Sequence, residues 1–146
     1  MCVQFTRWGE KYIELEISKL DYRFLYKPLI VGGKAMEYYG LRKAGLDIDL
    51  VIHTDDHYKL KDIYPKNIKD LYGDTGICEF EFEIWNQICT FDYDYLRVDA
   101  IETDDCLIIS LEKLLFMKAL AIEIPKYHYD MELIVKLILD KAFGKV

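Results

Sequence analysis

What this sequence lacks narrows what it can be. No apolar run approaches the roughly 20 residues needed to cross a bilayer, so no membrane-spanning helix is expected. None of the four cysteines (Cys2, Cys78, Cys89 and Cys106) stands in a CxxC pair, and nothing points to export. They are expected as reduced thiols, with Cys78, Cys89 and Cys106 acting as small buried hydrophobes. The opening residues, MCVQFTRWGEKY, turn charged too early for a secretory signal, and the expected location is cytoplasmic. No repeat, low-complexity tract or Gly/Ser/Pro-rich linker divides the 146 residues. One domain is therefore expected over 1–146, with its core over about 28–124 and a C-terminal helix over about 128–143.

A basic cluster is also missing. The chain carries 19 Lys and Arg against 26 Asp and Glu, a net charge of −7, and its longest basic stretch is the scattered KDIYPKNIK. A protein that grips a phosphate backbone unaided presents a basic face, so extended nucleic acid is not an expected partner. A triphosphate on so acidic a chain needs metal ions to mediate the contact. What is present is an ordinary globular balance of 52% apolar and 31% charged residues, enough for one core.

Periodicity and punctuation suggest the order α-β-α-β-α-β-β-α-α. Ile13, Ile17, Leu20 and Phe24 recur at helical spacing and predict an amphipathic helix over 9–22. Pro28 opens a short strand, LIVGG, and KAMEYYGL reads as a two-turn helix ending near Gly40. LDIDLVIH alternates as a strand; Thr54, Asp55 and Asp56 cap a helix to about Tyr64. CEFEFEIW and ICTFDYDYL, split by Asn86-Gln87, read as a β-hairpin. Ser110 caps the helix LEKLLFMKALAI, Pro125 ends it, and YDMELIVKLILDKAF forms a last helix stopping at Gly144. The expected fold class is α+β (α/β-like), a small mixed sheet with flanking and C-terminal helices.

The segment Leu29 to Ile52, LIVGGKAMEYYGLRKAGLDIDLVI, carries the chemistry. A strand delivers Gly32-Gly33 into a helix start, where glycine allows close backbone approach and free N–H groups favour a phosphate. Asp47 and Asp49 follow at i and i+2 of a strand, on one face, with Cβ atoms roughly 6.6 Å apart. Carboxylates so placed can hold two divalent cations about 3.5–4 Å apart, the arrangement used for in-line phosphoryl or nucleotidyl transfer. Oxygen-only ligands suit Mg2+ or Mn2+. Each element alone has a plainer reading. A DxD in an acidic chain is usually a solvated strand face, and a second one stands at Asp92 and Asp94. Gly-Gly alone is usually a turn. His53, His57 and His128 lack ligand spacing and suit surface or capping roles. The tyrosines, twelve in number, suit packing rather than a stacking platform.

Gly-Gly, a short helix, Gly40, Arg42 and then Asp47-Ile48-Asp49-Leu50-Val51 together resemble the signature of the polymerase-β nucleotidyltransferase superfamily. The resemblance is strongest to its minimal members and to bacterial AbiE-toxin-like nucleotidyltransferases, and SLEKLLFMKALA followed by PKYHYD is similar to the helical segment that ends many such domains. It spans about Ile30 to Asp130. One departure is Lys43-Ala44-Gly45-Leu46, where family members often carry Thr or Ser. The resemblance implies transfer of a nucleoside monophosphate from an NTP, such as ATP, to an acceptor hydroxyl with release of pyrophosphate. The acceptor would be a protein, a small molecule or an RNA end, and a homodimer or partner chain could complete the site. A second class is an inactive nucleotide-binding or toxin–antitoxin-type partner protein.

The resemblance also implies a third carboxylate on a neighbouring strand. Glu81, Glu83, Asp92, Asp94 and Asp99 are candidates; the family pattern fits Asp92 best, with Asp94 close behind. Asp47, Asp49 and Asp92 are then the catalytic and metal-binding set. Gly32, Gly33 and Lys34 would hold phosphate, Arg42 is balanced between an ion pair and a phosphate contact, and Lys118 or Lys126 would counter the triphosphate charge. Lys118 follows Leu114 and Leu115 by four and three positions, so it starts from the core-facing side of its helix.

Overall fold

Short runs of branched apolar residues occupy the centre of the molecule, because only there are both faces of a strand covered. The computed structural model describes residues 3–5, 11–13, 15–71 and 73–145. The first half runs through β1 (Val3–Phe5), β2 (Lys11–Ile13), a 3-10 turn (Ile17–Leu20), β3 (Leu29–Ile30), α1 (Gly32–Tyr38), β4 (Ile48–Val51) and α2 (Thr54–Ile63). The second runs through β5 (Ile68–Leu71), β6 (Asp74–Glu79), β7 (Phe82–Trp85), β8 (Gln87–Ile88), β9 (Phe91–Asp92) and α3 (Tyr93–Leu96). It closes with β10 (Ile101–Glu102), β11 (Leu107–Ile108), α4 (Leu111–Leu120) and α5 (Lys126–Ala142).

The result is a mixed α+β fold. A seven-stranded sheet has the order β10-β11-β3-β4-β7-β6-β5, and two-stranded ribbons form from β1-β2 and β8-β9. β11 and β3 are parallel, as are β4 and β7, and the other pairings are antiparallel. Leu29, Ile30, Leu50, Val51 and Ile84 are fully buried on the central strands, and the buried cluster extends from Leu20 to Ile134 in α5. Among the described residues no helix is long and apolar enough to cross a membrane.

Three expectations are overturned. The helix expected over 9–22 is replaced by β2, which pairs with β1, and by the 3-10 turn; residues 9, 10 and 14 lie outside the described residues. Helical spacing of Ile13, Ile17 and Leu20 is not enough here. The left-handed Asp21 (φ 48°) ends the turn, and the segment that follows is pinned by long-range bonds. Buried Asp56 accepts from Tyr22 Oη at 2.6 Å and from the N–H groups of Leu25 and Tyr26 at 2.9 and 3.0 Å. Second, CEFEFEIW is itself the hairpin: β6 and β7 turn at Phe80-Glu81, with Phe80 at φ 53°. A non-glycine residue there costs about 1 kcal/mol, which the continuous β6-β7 ladder outweighs. Third, ICTFDYDYL is not a partner strand. It makes the small β8-β9 ribbon, turning at Cys89 and Thr90 with φ 49° and 72°, and then enters α3. Both central residues at positive φ match the twist of a two-residue hairpin loop. Cys89 is thereby exposed and not a buried hydrophobe, whereas Cys106 is buried and Cys78 partly so.

His57 is also inside the protein and not at its surface. It is 5% exposed, and its Nε2 lies 3.1 Å from the Thr75 carbonyl of β6. Burial lowers its pKa below the usual histidine value, Lys61 pushes the same way, and the Thr75 bond opposes them. The unfolded chain then binds the proton more readily than the native one. Stability present above about pH 6.5 should be lost as pH falls from there through the native pKa. Urea midpoints at pH 7 and pH 5.5 should show a larger acid loss in the wild type than in His57→Gln, which keeps a donor for Thr75. Equal losses would remove His57 as the cause.

Candidate functional site

Strand register assembles the acidic centre. Asp49 of β4 lies opposite Glu83 of the parallel strand β7, on the same face, with the strands about 4.8 Å apart. On its other side, β3 pairs with β4 so that Ile30 faces Leu50, and the Val31 N–H donates to the Asp49 carbonyl at 3.1 Å. The chain leaving β3 therefore passes over the Asp49 side chain at Gly32. Gly32 has φ +61°, and a Cβ there would collide with the Asp49 carboxylate, its Cγ at 3.1 Å. Gly32→Ala should thus strain the backbone by about 1 kcal/mol and displace Asp49 as well. We expect a lower melting temperature together with loss of cation binding; an alanine variant with native behaviour in both would exclude this contact.

Burial, the hydrogen bond with Glu83 and the charge of Glu83 push the Asp49 carboxyl up to about 7. Asp47 pushes it the same way, while Lys118 opposes. Near neutral pH the Asp49 carboxyl thus takes up a proton readily, the usual direction for one of two close carboxylates. Asp47 precedes β4 and is exposed at the mouth of the site. Among the described residues no three His, Cys, Asp or Glu side chains are already gathered as a metal cluster. The acids come instead as a close pair with Asp47 at the rim.

A cleft of about 430 Å³ opens beside this pair, its lining including the cations Arg42, Lys118 and Lys126 and the acids Asp47, Asp49 and Asp130. Two of its cations share one anion from α5. Arg42 grips Asp130 through Nε and Nη2 at 2.6 and 2.8 Å, and Lys118 Nζ reaches Asp130 at 3.0 Å. Lys118 is 7% exposed and its ammonium sits 4.5 Å from the Tyr127 ring. Burial lowers the Lys118 pKa, although Asp130 works to raise it. Burial also works to raise the Asp130 carboxyl, but the bonds from Arg42 and Lys118 outweigh it and hold it below its usual value. Arg42 arrives from the loop after α1, Lys118 from the inner side of α4, and Lys126 from the first turn of α5. The core-facing reading of Lys118 agrees with its position.

Two sequence candidates fall elsewhere. Lys34 is 3% exposed, pairs with Glu37 at 3.1 Å, and borders a different depression with Ala44, Ile48 and Glu81. Helical phase carries it away from the cleft. α1 has only seven residues, so the positive charges the cleft offers are side chains and not a helix end. Asp92 is exposed at the end of β9, outside the main sheet, and its Oδ1 accepts from the Tyr95 N–H at 3.0 Å as the N-cap of α3. The charges that bear on Asp49 are those of Glu83, Lys118 and Asp47. The carboxylate beside Asp49 is therefore Glu83, on β7, while Asp92 lies in a separate ribbon. The hairpin falls elsewhere than expected, and the β4-β7 pairing is what sets Glu83 beside Asp49; alternation along CEFEFEIW leaves Glu81 and Glu83 equivalent.

Comparison with protein-family models, curated proteins and solved structures gives no match for this chain.

Proposed function

We propose that the protein is a metal-dependent nucleotidyltransferase, moving a nucleoside monophosphate from an NTP to an acceptor hydroxyl and releasing pyrophosphate. The observation that carries this reading is the Asp49–Glu83 pair, set under Gly32 at the edge of a cleft lined by Arg42, Lys118 and Lys126. The donor set fits a hard divalent cation, because it is all carboxylate oxygen. Asp47, Asp49 and Glu83 would hold Mg2+ or Mn2+. Bound there, the metal supplies charge stabilisation for the transferring phosphoryl group and alignment of its oxygens.

The remaining chemistry belongs to the chain itself. Lys118, Lys126 and Arg42 offset the charge of the β- and γ-phosphates, with Gly33 leaving room for close approach. Glu83, opposite Asp49 on β7 and away from Arg42 and Lys126, accepts the proton of the attacking hydroxyl. Tyr127 sets its ring 4.5 Å from the Lys118 ammonium, where its face helps hold that charge at the cleft.

A second reading, nucleotide binding without turnover, as in an inactive toxin–antitoxin-type partner, is favoured by the engagement of both Arg42 and Lys118 with Asp130. One experiment separates the two. The protein is incubated with each α-labelled NTP and Mg2+, with and without cell extract, while labelled products and pyrophosphate are followed. Pyrophosphate release with a newly labelled acceptor is the expected result. NTP binding with no pyrophosphate under any condition would establish the second reading instead.

A further inference from the structure

Two hollows of different chemistry meet at Asp49. The cleft that holds Arg42, Lys118 and Lys126 is one. The other, about 290 Å³, is walled by Trp85, Ile88, Leu114, Met117 and Ala121. Asp49, Lys118 and Tyr127 border both hollows, Asp47 opens only to the first, and Glu83 opens only to the second. The site is thus polarised: Arg42, Lys126 and Asp47 open only to the first hollow, Glu83 and the apolar walls only to the second, and Lys118 stands between them.

In-line displacement needs the incoming oxygen and the leaving oxygen on opposite sides of the phosphorus. The departing pyrophosphate carries most of the charge and belongs with Arg42, Lys118 and Lys126. The hydroxyl must then arrive from the Glu83 side, through the apolar hollow. We propose that this hollow is the acceptor site, and that the acceptor is a small uncharged molecule bearing its hydroxyl on an aromatic or apolar body. This rests on the nucleotidyl-transfer reading. The step balances as follows: the hydroxyl oxygen bonds to the α-phosphorus, the α-phosphorus–bridging-oxygen bond breaks with its electron pair going to pyrophosphate, and the hydroxyl proton passes to the Glu83 carboxylate.

Charge and size argue against a nucleic-acid end at this place. Lys118 is the one cation among the described residues lining the hollow, and its ammonium is shared with Asp130. A chain of phosphates would meet Glu83 and Asp49 without countercharge. The volume lies at the lower limit of small-molecule sites, about 300 Å³, and the lining matches their usual make-up of apolar walls with a few converging polar groups. Trp85 is 8% exposed and Leu114 is fully buried, so these walls are already formed, while Ile88, Met117 and Ala121 are partly buried and border the opening.

The test uses the full chain, Mg2+, α-labelled NTP and three uncharged alcohols: tyrosol, cinnamyl alcohol and hexanol. A short single-stranded RNA serves as competitor. Binding is read from the methyl resonances of Ile88, Leu114 and Met117, and transfer from labelled product. At least one alcohol should shift those methyls and become labelled, and Ala121→Phe should raise its KM about tenfold while NTP affinity holds. Met117→Glu, which charges the opening instead of filling it, should act in the same direction. Labelling of the RNA in preference to all three alcohols would overturn the proposal. Weaker NTP binding in Ala121→Phe would do so too, by showing the nucleoside in the hollow. Pyrophosphate release with none of the alcohols labelled overturns the acceptor assignment alone, whereas absence of NTP binding in Mg2+ removes the nucleotidyl-transfer reading beneath it.

Discussion

Asp49→Asn and Glu83→Gln should each lower Mg2+-dependent transfer by about a thousandfold, which corresponds to about 4 kcal/mol of lost transition-state stabilisation. Asp92→Asn should leave the rate unchanged, since asparagine accepts the same hydrogen bond from Tyr95 and keeps the cap of α3. The contrast follows from register, because Asp49 and Glu83 face each other across two central parallel strands while Asp92 stands exposed in a separate ribbon. Metal-free stability gives an independent readout. Asp49 is held against its charge by burial and by Glu83, so Asp49→Asn should raise the melting temperature without Mg2+ and abolish any further rise on adding it. Asp47→Asn should lose transfer as well but change metal-free stability less than Asp49→Asn does, because Asp47 is exposed and its push on Asp49 is the weakest of those acting there. A dead Asp92→Asn beside an active Glu83→Gln would overturn this arrangement of the acids.

Asp130→Ala should destabilise the protein by about 3 kcal/mol, because it strands a buried ammonium and leaves a guanidinium without its bidentate partner. Asp130 and Lys118 side chains are 4% and 8% exposed, and Arg42 is 32% exposed, so Lys118 bears most of the penalty. Lys118→Met should behave differently. It leaves the Arg42–Asp130 pair in place and puts a thioether against Leu114, so stability should stay within about 1 kcal/mol of wild type. Nucleotide affinity in Mg2+ should nevertheless fall about tenfold, the worth of one charge-assisted contact to phosphate. Lys113→Met is the control, since that ammonium lies over the Tyr95 ring at 3.6 Å and does not border the cleft. Urea unfolding and calorimetry at one salt concentration measure both quantities. Should Lys118→Met bind NTP as tightly as wild type, Lys118 serves the α4–α5 contact alone.

The Asp130 network shows why the site was only partly legible in the linear chain. Lys118 announced itself by standing on the apolar side of α4, where a cation is costly without a partner. Nothing along the chain pairs it with Asp130, because the α4–α5 turn decides which residues of the two helices meet. Arg42 was balanced between an ion pair and a phosphate contact, and the folded protein gives it Asp130 while keeping it at the cleft wall.

Local rules were enough wherever the pattern was short-ranged. Leu29-Ile30 as a strand, the glycines at its exit, the Asp49 strand, α2, the Ser110 cap and the last two helices all follow from neighbouring residues, through caps, alternation and apolar spacing. Tertiary structure alone decided the rest. It turned residues 11–13 into a strand against 3–5 and folded CEFEFEIW back on itself. It also brought β7 alongside β4 in parallel, so that Glu83 and not Asp92 stands beside Asp49. The physical reason is that strand partners and register depend on which distant segments close the sheet, and alternation at a period of two is satisfied equally well by several pairings.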